Sequence, residues 1–148
     1  VFIDPITNLT NGMNAADANS KLQDIAQDLS AMAKDLGIVV FIFVHLKAND
    51  GHITRDARAK KYEKGEYTRL GNCPHEYGGD MYSSQFAGSR AMMRSCNLML
   101  GLEGNKDDDL PTHIQELRWI RFLEDRSFNN SGSVQLHFNT KAGRYKEA

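Results

Sequence analysis

The chain has 148 residues, 41% apolar and 25% charged, with 18 basic and 19 acidic side chains for a formal charge of −1. That is the composition of one soluble globular domain with a real core, and it excludes a polybasic protein held on nucleic acid by bulk charge, so any polyanion site must be a local patch. Cys73 and Cys96 are too few for a disulfide scaffold and lack the paired spacing of a zinc module, which makes a reducing, cytosolic setting the default; the longest apolar run, residues 38–44, falls far short of the ~20 residues of a membrane-spanning helix.

The chain opens directly on Val1-Phe2-Ile3-Asp4, a strand-like apolar run with no initiator methionine and no signal peptide, and reads as a segment of a longer protein. A polar loop, 5–14, leads into an amphipathic helix expected from about Asp17 or Ser20 to Leu36. Its apolar positions Leu22, Ile25, Ala26, Leu29, Met32, Ala33 and Leu36 share one face. Gly37 is the stop signal. The run Ile38 to Val44 shows no alternation and is rich in β-branched and aromatic residues, as expected of a strand buried on both faces. Strand, helix and strand make a βαβ unit with a parallel sheet.

From His45 to about Gln85 the periodicity dissolves into a long polar stretch, of the kind that is usually functional or mobile. A short helix near Ser89 to Ser95 precedes a third buried strand at Leu98–Leu102, and an acidic turn holds Asp107, Asp108 and Asp109. Two further strands, near Ile114 to Leu123 and Ser133 to Asn139, are joined through Asn129, Asn130, Ser131 and Gly132, which reads as a hairpin. No internal repeat and no interdomain linker stands out.

Several polar residues sit where chemistry is done. Asp4 ends an apolar strand, and the carboxyl ends of parallel strands form the ligand crevice of open α/β sheets; one carboxylate there suits a Mg2+ ion that keeps its waters beside nucleotide phosphates, although an aspartate in that position commonly just starts a turn. His45 takes the matching place on the next strand, 41 residues on, where an imidazole either donates to a phosphate or is satisfied locally. Between 46 and 70 lie seven basic residues, Lys47, Arg55, Arg58, Lys60, Lys61, Lys64 and Arg69, against four acidic ones, with Tyr62 and Tyr67 interleaved. Such a stretch suits contact with a single-stranded nucleic-acid backbone, and equally describes a solvated charged loop. Arg126, in the hairpin connection, has the reach of an arginine finger or pairs with its acidic neighbours Glu124 and Asp125.

Taken together these features resemble the ring-shaped replicative DNA helicases: the DnaB type, the phage primase-helicases and the mitochondrial helicase Twinkle. Val1-Phe2-Ile3-Asp4 looks like their Walker B strand, and His45-Leu46-Lys47 is similar to the His-Leu-Lys that begins the DNA-binding loop of the phage enzymes. His75-Glu76-Tyr77-Gly78-Gly79, followed by Gln85-Phe86-Ala87-Gly88-Ser89-Arg90-Ala91, resembles the stretch that turns into a short helix. Leu123-Glu124-Asp125-Arg126, with Gly132 six positions on, resembles the finger motif.

The resemblance implies an α/β fold: a RecA-like partial core, mostly parallel sheet with flanking helices and a C-terminal β-hairpin. Residues 1–148 would form the C-terminal half of the ATPase domain. It also implies ATP or another NTP and Mg2+ as cofactors, with Asp4 serving metal and nucleotide, His45 sensing the γ-phosphate and Arg126 acting on a neighbour's nucleotide. Single-stranded DNA would be met by Lys47, Arg55, Arg58, Lys60, Lys61 and Arg90. The implied partners are further copies in a hexameric ring, primase and other replisome proteins, with no membrane, in the cytoplasm of a bacterial host for a phage-encoded enzyme. The chain departs from the pattern at Glu124, where the family has a lysine, at Arg90, in place of a glycine, and in a longer loop after Lys47. No Gly-rich Lys-Ser/Thr loop occurs anywhere, so the phosphate cradle is missing, and the segment alone is expected to be catalytically inert. A RecA/KaiC-like or repair ATPase fragment, and an inactive nucleic-acid-binding or assembly module, are the alternatives.

Overall fold

The computed structural model describes residues 1–46, 62–63, 66–67, 75–86 and 89–147. They form a mixed α/β structure that divides into two compact units, one of Val1–Lys47 with Tyr82–Met99 and one of Ala48–Met81 with Leu100–Ala148.

The first unit is built on the expected βαβ pair. Strand β1 (Phe2–Ile3) lies parallel to β2 (Phe41–Ile42), with Phe2 opposite Phe41 and Ile3 opposite Ile42. Between them run a 3-10 turn (Ile6–Thr10) and helix α1 (Ala15–Leu36). The helix begins two residues earlier than the nearer of the two expected starts. Its first turn buries nothing and is instead held by Asn14, whose side chain accepts the Asp17 N–H at 3.0 Å and so satisfies one of the donors a helix start leaves open. At the other end Gly37 takes the left-handed conformation, φ 61°, as its sequence position predicts. Ile6, Leu22, Ala26 and Met92 form the core, with Ile3, Ile25, Leu29, Ile42 and Val44 packed against it; Met92 comes from α2 (Ser89–Ser95).

The run 38–44 departs from its expected burial. It is one-sided: Ile38, Val40, Ile42 and Val44 are partly buried while Val39, Phe41 and Phe43 are exposed. Side chains alternate across a strand, and among the described residues α1 covers only the face that carries Ile3, Ile42 and Val44.

A two-residue pair, β3 (Tyr62–Glu63) and β4 (Glu66–Tyr67), is antiparallel. A four-stranded sheet, in the second unit from Leu100 onward, has the order β5 (Leu98–Glu103), β6 (Leu117–Asp125), β7 (Gly132–Asn139) and β8 (Arg144–Glu147). A short helix, α3 (Thr112–Gln115), precedes β6. The β6–β7 hairpin is as expected, and β8 adds a strand that sequence pattern did not signal. Both pairs, β6–β7 and β7–β8, are antiparallel, so the expectation of a mostly parallel sheet is corrected: parallel pairing among the described strands is that of β1 and β2. The reason is connection length, since six- and four-residue links reverse a chain but cannot carry the crossover a parallel pair requires. β5 alternates as well, exposing Leu98, Leu100 and Leu102 and burying Met99, Gly101 and Glu103. Trp119 on β6 is buried, opposite Gln135.

Candidate functional site

The parallel register brings Asp4 and His45 to the same end of neighbouring strands. Asp4 follows β1 by one residue and His45 follows β2 by three, and both side chains are exposed. By alternation they share the face of Phe2, Phe41 and Phe43, not the face beneath α1. The edge is held by backbone bonds: the Phe43 N–H donates to the Ile3 carbonyl at 2.8 Å and the Ile6 N–H to the Phe43 carbonyl at 3.1 Å. Leu46, next after His45, forms an antiparallel bridge with buried Phe86. The strand end that carries His45 is thereby tied to the segment just ahead of α2. One exposed carboxylate fits a Mg2+ ion that brings its own phosphate ligands and waters, but does not by itself make a metal cage. Among the described residues no group of three or more His, Cys, Asp or Glu side chains is arranged to hold a metal.

Arg126 is exposed at the tip of the β6–β7 hairpin, in the second unit. The turn is organised by its neighbour Asp125, whose carboxylate accepts the N–H groups of Ser127 at 3.1 Å, Phe128 at 3.0 Å and Asn130 at 3.4 Å, and the Asn130 side-chain amide at 2.6 Å. The Phe128 N–H above all, with the Asn130 amide and the Ser127 and Asn130 N–H groups, holds the Asp125 carboxyl below its ordinary range against the opposing effect of burial. Asn129 takes φ 53°, a conformation asparagine tolerates. Phe128 is left 81% exposed.

The segment 75–81 also lies in the second unit. Gly78, at φ 81°, closes a turn by donating its N–H to the His75 carbonyl at 3.2 Å, and Tyr77 bridges Asn105. Its anchor is an ion-pair network that sequence reasoning missed. Fully buried Glu103 accepts the Met81 N–H at 2.7 Å and the Arg121 Nε, and Arg121 Nη2 reaches Asp80 at 2.6 Å. Removing one partner of such a buried pair costs about 3–5 kcal/mol. The signal was present: Glu103 falls on the inward parity of β5, with Met99 and Gly101, where a charge demands a partner.

Lys47, Arg55, Arg58, Lys60 and Lys61 lie outside the described residues. Arg90 is within α2 as expected. No helix among the described residues is long and apolar enough to cross a membrane. No protein-family model and no curated protein matches the chain.

Proposed function

We propose that the chain is the C-terminal half of a RecA-like ATPase domain from a replicative DNA helicase that translocates on single-stranded DNA as a hexameric ring. The observation that carries the reading is the pairing of Asp4 and His45 at one end of a parallel β–α–β unit, within the motif order of the sequence. Asp4 then faces Mg2+ and nucleotide, where the metal neutralises phosphate charge. His45 answers to the γ-phosphate, and its neighbours Leu46 and Lys47 carry that state both to Phe86 and into the basic stretch. Arg126, on a turn pre-formed by Asp125, supplies a guanidinium to the nucleotide of an adjacent subunit.

Arginine fingers are worth on the order of a thousandfold or more in turnover. In the assembled enzyme, Arg126→Ala therefore abolishes DNA-stimulated ATP hydrolysis while nucleotide binding persists. Mixing it with Asp4→Ala protein restores part of the activity, because some interfaces then hold both native groups. Near-normal stimulated turnover by Arg126→Ala would refute the finger role and reduce Arg126 to a surface residue beside its acidic neighbours Glu124 and Asp125.

A further inference from the structure

The β7–β8 hairpin collects cations on one face. Arg144 of β8 stands opposite Asn139 of β7, and Lys146 opposite His137, so the four side chains share a face of the sheet; Lys141 sits in the turn between the strands. Lys141, Arg144 and Lys146 are exposed, and none of them is in an ion pair among the described residues. The nearby carboxylate, Glu116, is taken up: it accepts the Thr140 hydroxyl at 2.8 Å and meets His137 Nε2 at 3.2 Å. The cations stand on a held framework. On the other face the Tyr145 ring packs on Phe138 with centroids 4.9 Å apart, and in the turn the Asn139 side chain accepts the Ala142 N–H at 2.9 Å while Gly143 takes φ 60°.

A bare apolar face is open to whatever continues a fold, but an unpaired ammonium or guanidinium is strongly disfavoured inside one. This edge of the sheet therefore stays in water or meets an anion. In a chain of formal charge −1, three unpaired cations between 141 and 146 make the kind of local patch that a polyanion site requires. We propose that Lys141, Arg144 and Lys146 bind the phosphodiester backbone of single-stranded nucleic acid, in addition to any contact made by the basic stretch 46–70. Two steps of extended strand set Arg144 and Lys146 about 7 Å apart, on the scale of successive phosphates along an extended nucleic-acid strand. Arg144 offers a planar fork to two phosphate oxygens and Lys146 a point charge, and contacts of this kind carry no base preference. The choice of nucleic acid over another polyanion rests on the helicase reading; the cationic edge itself does not.

Fluorescence anisotropy of a labelled oligothymidylate, titrated with the purified chain over a range of salt, tests the site. Each phosphate contact adds about 0.7 to the slope of log affinity against log salt for single strands, so Arg144→Gln combined with Lys146→Gln flattens the slope by about 1.4 and weakens binding at low salt by on the order of tenfold or more. Lys21→Gln with Lys34→Gln removes the same charge from exposed positions of α1 and changes neither. Should the double β8 variant lose the native melting transition, Lys141→Gln in the turn takes its place, with half the expected change in slope. No binding by the native chain, native affinity and slope in the edge variants, or an equal loss in the α1 control would overturn the proposal. Poly-glutamate bound as tightly, and weakened by the same substitutions, would assign the edge to an acidic protein instead. Turnover by Arg126→Ala, which tests the helicase reading, plays no part in this measurement, so the two fail separately.

Discussion

Asp125 gathers three backbone N–H groups and one side-chain amide around a single carboxylate, and the arrangement has a pH signature. Its folded-state pKa is lowered from the ordinary 3.8, chiefly by the Phe128 N–H. A lowered carboxyl pKa means that the ionised form is preferred in the fold, so the stabilisation is complete above the ordinary value and is lost as pH falls through the folded one. Amide hydrogen exchange at Ser127, Phe128 and Asn130 should accelerate over that acid range while exchange in the β6–β7 ladder stays slow, and Asp125→Ala should show the fast tip at every pH. Uniform exchange across tip and ladder would mean that the carboxylate does not hold the turn. Glu116 is shifted the same way, first by the Thr140 hydroxyl, which donates to it at 2.8 Å, and further by His137 nearby.

At the scale of elements, the sequence pattern reads α1 through its apolar face and so starts it at about Asp17 or Ser20, later than the observed Ala15. Residues 15–21 are polar or small and have no apolar periodicity to read. What begins the helix is Asn14, a single side chain acting on the Asp17 N–H. Asn14→Ala is expected to lower stability by about 1 kcal/mol, read as a shifted urea midpoint at unchanged slope; an unmoved midpoint would show that the first turn is held by something else. The misreading of residues 38–44 has a different origin. Hydropathy cannot separate a strand buried on both faces from one that turns phenylalanines outward, because both are continuously apolar. Glu103 was legible only through alternation: a charge at the inward position of β5 implies a cation, and Arg121 supplies it.

For the whole molecule, the α/β character, the β1–α1–β2 unit and the β6–β7 hairpin were all legible, since each rests on local periodicity and turn residues. Strand β8 and the antiparallel extent of the four-stranded sheet were not, because Arg144–Glu147 is short and mostly charged and its identity as a strand comes from its partner, β7. Position in the sequence singles out Asp4, His45 and Arg126 as candidates, while the Asp125 clamp depends on a turn geometry that sequence alone does not reveal. Because the chain lacks a phosphate-cradling loop, it should release no phosphate from ATP by itself. Turnover that survives repurification and disappears on Asp4→Ala would contradict this.

The two compact units also differ in the light they emit and absorb. Trp119, the single tryptophan, is buried in β6 of the sheet unit, whereas the 22 residues of α1 belong wholly to the other. Intrinsic tryptophan fluorescence therefore reports the packing around β6, and among the described helices α1, the longest, contributes most to the helical dichroism signal. Followed together through a denaturant titration, the two spectra separate the fate of the sheet from that of the parallel pair without any added label.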